Sequence, residues 1–109
     1  MAMHSRSLAR LFAALSDPTR LAVIDRLDEG PASVTALAQP FDMAGPSFLK
    51  HLAVLEAAGL VSSQKTGRVR MVTLEPARLT EAQDWLASHR ARWQMRLDRL
   101  GALLERTPE

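Results

Sequence analysis

The sequence predicts a mainly α-helical domain carrying one small β-hairpin, an α+β arrangement, and three observations lead there. Apolar residues recur at helical spacing up to about residue 58, the period switches to 2 between about 60 and 74, and the helical period returns from about 77 to 105. With 109 residues the chain is long enough for a single domain, residues 1–109, with a modest core and little to spare. Hydrophobic and charged contents of 47% and 24% are ordinary globular values and argue against a disordered chain. Neither an internal repeat nor a linker divides it.

The elements follow in order. Leu8, Leu11, Phe12 and Leu15 mark a first helix over about residues 5–15. Asp17 followed by Pro18 starts the next, an acceptor for the first-turn amides and then a residue whose missing N–H does no harm there. That helix places Leu21, Ile24 and Leu27 on one face and halts at Gly30-Pro31. Ser33 can cap a short helix carrying Val34, Leu37 and Ala38, which Pro40 stops. After a turn of about four residues ending at Gly45, Pro46 opens a helix that runs to about Ala58 and stops at Gly59. Two short helices joined by a tight glycine-containing turn form a helix-turn-helix, about residues 33–58. In "LVSSQKTGRVRMVTLEP" the residues alternate on either side of Thr66-Gly67, where glycine supplies tolerance of positive φ. This is a hairpin over about residues 60–74 with a basic tip. From Ala77 to Glu105 a near-heptad stripe runs through Leu79, Ala82, Leu86, His89, Trp93, Arg96/Leu97, Leu100 and Leu104. At 1.5 Å per residue that helix is roughly 40 Å long, more than so small a domain can cover, so part of its stripe must pack outside the subunit.

Composition removes several functions. There is no cysteine, hence no disulfide, thiolate metal site or cysteine nucleophile. No run of 18 apolar residues exists and the N-terminus lacks the apolar core of a signal peptide, which makes the cytoplasm the expected compartment, with no membrane partner. The carboxylates form no constellation with a histidine and a nucleophile, and no glycine-rich phosphate loop is present, so neither enzyme activity, catalytic residues nor a cofactor is expected. His4, His51 and His89 lie in three separate elements, and Asp84 and His89 are five apart on different sides of a helix, so no metal site is expected. Net charge is only +2, but Lys65, Arg68 and Arg70 stand without an acid between Val61 and Leu74. A local basic excess in a near-neutral chain points to a directed contact with a polyanion.

On a helical wheel of residues 46–58, Phe48, Leu52, Leu55 and Gly59 cluster on one side, with Pro46, Ser47, Lys50, Ala53 and Ala57 opposite and Leu49 and His51 on the flanks. Small residues at 53 and 57 allow a close approach to another surface. Lys50 could reach guanine acceptors or a phosphate, Ser47 either kind of group, and Leu49 a thymine methyl. His51 fits two readings, a boundary residue packed on the domain or a donor to phosphate. Lys65, Arg68 and Arg70 of the hairpin could grip flanking phosphates or enter the minor groove. Trp85 and Trp93, eight apart, fit helix-packing roles better than a platform for stacked bases.

"LSDPTRLAVIDRLDEG", "FLKHLAVLEAAGLV" and "TGRVRMVTLEP" resemble, in order, the Asp-Pro-Thr-Arg, Lys-His-Leu and Glu-x-Ala-Gly-Leu signatures and the basic wing of ArsR-type winged helix-turn-helix repressors. The likeness runs over nearly the whole chain. It implies a homodimer on double-stranded operator DNA, with Ser47, Lys50 and His51 on the recognition helix and Arg68 on the wing. It also implies an interface between first and last helices, for which Leu8, Leu11, Phe12, Leu86, Trp93, Leu97, Leu100 and Leu104 are the candidates. Metal-sensing members use cysteines, or Asp and His pairs on the last helix, so this chain resembles the cysteine-free, non-metal-sensing members. Relatives often carry serine where Ala44 and Leu49 stand; Ala44 cannot cap the recognition helix and Leu49 cannot hydrogen-bond a base. A rival reading is a protein-binding module that uses the same fold without DNA. A small-molecule effector near the dimer helices has no polar cluster to identify it.

Overall fold

The computed structural model describes residues 2–106, with side chains described from residue 6 onward, which leaves the side chain of His4 outside it. Among those residues the order is α1 (Ala2–Ala14), α2 (Pro18–Leu27), β1 (Ala32–Ser33), α3 (Val34–Ala38), α4 (Gly45–Ala57), β2 (Val61–Thr66), β3 (Val69–Leu74) and α5 (Pro76–Arg106).

α2 starts as its sequence dictates. Asp17 is extended, its Oδ2 accepts the Arg20 backbone N–H at 3.1 Å, and Pro18 fills the first turn. That backbone donor holds the Asp17 carboxyl below its ordinary pKa, against an opposing push from desolvation and with smaller help from His51, when its ring is protonated, and from the Arg20 charge. A depressed pKa makes the ionised cap a contributor to stability at neutral pH, and the contribution is lost as pH falls through the folded value, below about pH 4. Melting curves of the wild type and Asp17→Asn are therefore expected to converge below about pH 4. A gap that is the same at every pH would contradict this.

The core gathers one stripe from each helix. Leu11, Val23, Leu37, Phe48, Leu55, Leu60 and Val72 are its largest fully buried members, and Phe41 stacks on Phe48 with ring centroids 5.6 Å apart. In α2 the buried face is Val23, Ile24 and Leu27, whereas Leu21 is exposed. Leu21 and Leu27 lie about 120° apart at ~100° per residue, too wide for one narrow seam, so the helix turns Val23 inward instead.

The sheet has the order β1-β3-β2, antiparallel throughout. The hairpin pairs Val61 with Leu74 through to Thr66 with Val69, and its tip is Gly67 at φ +64° followed by Arg68. β1 is an addition to the sequence-based picture. Ser33 caps α3 as expected, its Oγ accepting the Ala36 N–H at 3.1 Å, yet its extended backbone also pairs with Met71 of β3. Two residues are too few to show a period of 2, and the cap signal masked the strand.

α4 gives way to β2 at Gly59, where φ is +76° and the Leu60 N–H returns to the Leu55 carbonyl at 3.0 Å. A Cβ there would come 3.0 Å from the Arg78 guanidinium, whose Nε donates to the Ala58 carbonyl and whose Nη2 donates to Ser7 Oγ. Arg78 thus clasps α1, the end of α4 and the start of α5 together. Gly59→Ala meets both an unfavourable φ and that clasp, and is expected to cost about 1–2 kcal/mol, seen as a lowered thermal midpoint. An unchanged midpoint would contradict it.

α5 spans 31 residues, roughly 46 Å at 1.5 Å each, in a molecule measuring 72 × 31 × 22 Å. Its first half lies on α1, where Trp85 tilts against Phe12 at 5.5 Å, and Ala82 is its only buried residue. From Arg90 to Leu100 every residue is exposed. Among the described residues no helix is long and apolar enough to cross a membrane.

Candidate nucleic-acid interface

α3, the turn after it and α4 form the helix-turn-helix. Phe48, Leu52 and Leu55 anchor α4 inward, so Pro46, Ser47, Lys50, Ala53 and Ala57 form a continuous exposed strip on its outer side. Leu49, at the wing-side edge, is 52% exposed, a large apolar side chain left in water at the first turn. That turn begins at Ala44, which makes no side-chain cap, and contains no acid. Its free N–H groups and positive helix end therefore favour an anion.

His51 faces the other way. It is half-buried, and its Nδ1 lies 3.0 Å from Arg20 Nη1 and 3.6 Å from Asp17 Oδ2. His51 is thus the boundary residue of the first reading, packed against α2 with part of its ring in solvent. The role of Arg20 was invisible to spacing arguments, because its partner is 31 residues away; the Asp-Pro-Thr-Arg signature was the only sign that it mattered.

On the wing, strand alternation puts Val61, Ser63 and Lys65 of β2 on one face with Leu74, Val72 and Arg70 of β3. Val61 and Val72 are buried, so the face that packs on the domain continues outward into the Lys65–Arg70 pair. Like charges directly opposite each other repel. Arg70 lines a cleft with Leu49, Ala53 and Glu56 of α4, and Glu56 accepts a bond from Ser63 Oγ at 3.1 Å that ties helix to wing. Arg70 thus borders the same space as Leu49 and Ala53 of α4, with Lys65 paired to it across the hairpin and Arg68 at the tip.

The interface candidates divide into two groups. Leu8 and Leu11 are 5% and 0% exposed, buried within their own subunit, because α1 packs that face on the core. Phe12 is half-buried against Trp85. Leu86, Trp93, Leu97, Leu100 and Leu104 are all more than half exposed, and the Arg96 guanidinium lies 5.7 Å from the Trp93 ring centre. An open groove between α1 and α5, lined by Phe12, Leu15, Leu79, Ala82 and Leu86, leads into that stripe.

A helix held by its inner face and bare on its outer face, beside a cationic hairpin, defines a winged helix-turn-helix DNA-binding domain. Residues 15–64 match the model of a helix-turn-helix domain family. The chain is 39% identical over 74 residues to an HTH-type transcriptional regulator of Mycobacterium tuberculosis, covering 68% of this chain and 69% of that protein. It is 30% identical over 76 residues to the transcriptional repressor SdpR of Bacillus subtilis, covering 70% of this chain and 84% of the repressor. The crystal structure of an ArsR family transcriptional regulator superimposes with a TM-score of 0.79 at 47% identity, over 83% of this chain and 93% of that one. The chain belongs to the ArsR family of DNA-binding transcriptional regulators.

Proposed function

We propose that the protein is a cytoplasmic repressor, one winged helix-turn-helix domain per subunit, that acts as a homodimer on an imperfectly palindromic operator. The observation that carries this reading is the exposed strip Ser47, Leu49, Lys50, Ala53 and Ala57, bordered by Arg70 and backed by a buried Phe48, Leu52 and Leu55. Ser47, Leu49 and Lys50 meet base edges or phosphates at the start of the recognition helix, and the wing cations hold the backbone alongside. The uncovered stripe of α5 supports pairing of two copies, which sets the half-sites about one helical turn, ~34 Å, apart or a multiple of it. The protein works by binding alone and converts no substrate.

Footprinting on the DNA upstream of its own gene tests this directly. A protected, two-fold symmetric site is expected, with protection weakened by Lys50→Ala. A wild type that ignores duplex DNA even at low salt would sink the proposal and favour a protein partner on the α5 stripe instead.

A further inference from the structure

We propose that Arg20 is a positioning residue for recognition: it locks His51 in the neutral tautomer whose Nε2–H stands ready as a donor on the α2-side flank of the recognition helix. The inference rests on the DNA-binding reading above. The Arg20 guanidinium is fixed independently of His51, since Nε donates to the Ala14 carbonyl at 2.6 Å and Nη2 to the Ala13 carbonyl at 3.3 Å. Those carbonyls lie at the negative end of α1, where a cation belongs, and the Ala13 oxygen is shared with the Ser16 N–H and hydroxyl. Its Nη1 then lies 3.0 Å from His51 Nδ1. A guanidinium has N–H donors and no acceptor, so Nδ1 must offer its lone pair, and the single ring proton of a neutral imidazole sits on Nε2.

The competing arrangement is weaker. Asp17 Oδ2 would want a proton on Nδ1, but it is 3.6 Å away and already accepts the Arg20 backbone N–H. Among the described residues Nε2 has no partner, and no side-chain nitrogen or oxygen there is both buried and unbonded, so Nε2 reaches solvent. A half-buried ring that is oriented from behind by an anchored arginine presents a directed donor at little cost in side-chain freedom. The matching chemistry on a duplex is an acceptor, a phosphate oxygen or a base edge such as guanine O6 or N7.

The ring nitrogens of ¹⁵N-labelled free protein, observed by NMR above the titration range of histidine, are expected to show His51 protonated at Nε2 alone. Arg20→Ala should release a mixture of tautomers and weaken operator binding roughly tenfold, about one charge-assisted hydrogen bond. Arg20→Lys keeps a cation at the α1 carbonyls and should release the ring in a fully folded protein. In a His51→Ala background, Arg20→Ala should cause no further loss of affinity, an outcome that a merely structural arginine would not give. A loss shared by all duplexes marks the acceptor as phosphate, and a loss confined to the operator marks it as a base; either supports the assignment. A proton found on Nδ1, or equal losses with and without His51, overturns it. A wild type that binds no duplex overturns the DNA-binding reading, and Arg20's role with it, whatever tautomer NMR finds.

Discussion

Replacing Trp93 and Leu97 together by glutamate is expected to yield folded monomers that no longer hold operator DNA. Trp93 and Leu97 are 59% and 54% exposed in the isolated subunit, so their removal leaves the core of that subunit intact. Fully burying a large apolar side chain is worth about 1.5–3 kcal/mol, and two-fold symmetry doubles every loss. Each glutamate would in addition have to shed its hydration to stay at the interface. A monomer engages one half-site only and forgoes the roughly 10²–10⁴-fold gain that linking two sites supplies. Sedimentation and gel shift read the two halves of this expectation. A dimer that survives the double change would refute the assignment of this stripe as the interface.

The second large effect concerns the wing. Changing Lys65, Arg68 and Arg70 to glutamine removes three cations per subunit and six per dimer. At a slope of about −0.9 per phosphate contact, a plot of log affinity against log salt should become shallower by about 5 if all six meet phosphates. Low-salt affinity should fall by several orders of magnitude. The fold, by contrast, has little to lose, because Lys65 and Arg70 face each other across the hairpin and their repulsion disappears. Weaker DNA binding with an equal or higher melting temperature is therefore the expected signature, and an unchanged salt slope would remove the wing from the interface.

Local signals carried most of this architecture. Asp17-Pro18, Ser33 and Gly67 each dictate a cap or a turn through their own side chain or lack of one, and the structure uses each of them that way. Periodicity found the helices and the hairpin, and it separated Phe48, Leu52 and Leu55 from the bare side of α4. What it missed depends on tertiary placement. β1 exists because β3 offers an edge to a two-residue extended segment. Leu21 faces out because the core selects the narrower Val23–Ile24–Leu27 seam. Leu8 and Leu11 looked as suitable for a partner as Leu86 did, since a one-dimensional stripe does not say whether its own domain or another will cover it. Arg20 and Arg78 bind carbonyls, a serine and a histidine far along the chain, and no spacing rule connects such groups.

The reach of α5 beyond its own domain bears on how gene control would respond to abundance. A regulator whose binding-competent form is assembled from two chains fills its site in proportion to the square of the free chain concentration while pairs are scarce. Halving the amount of protein would then cut occupancy about fourfold, so modest changes in synthesis or degradation become sharp changes in output. If two copies pair through it, the unfinished rod on each subunit would by itself be a source of threshold behaviour.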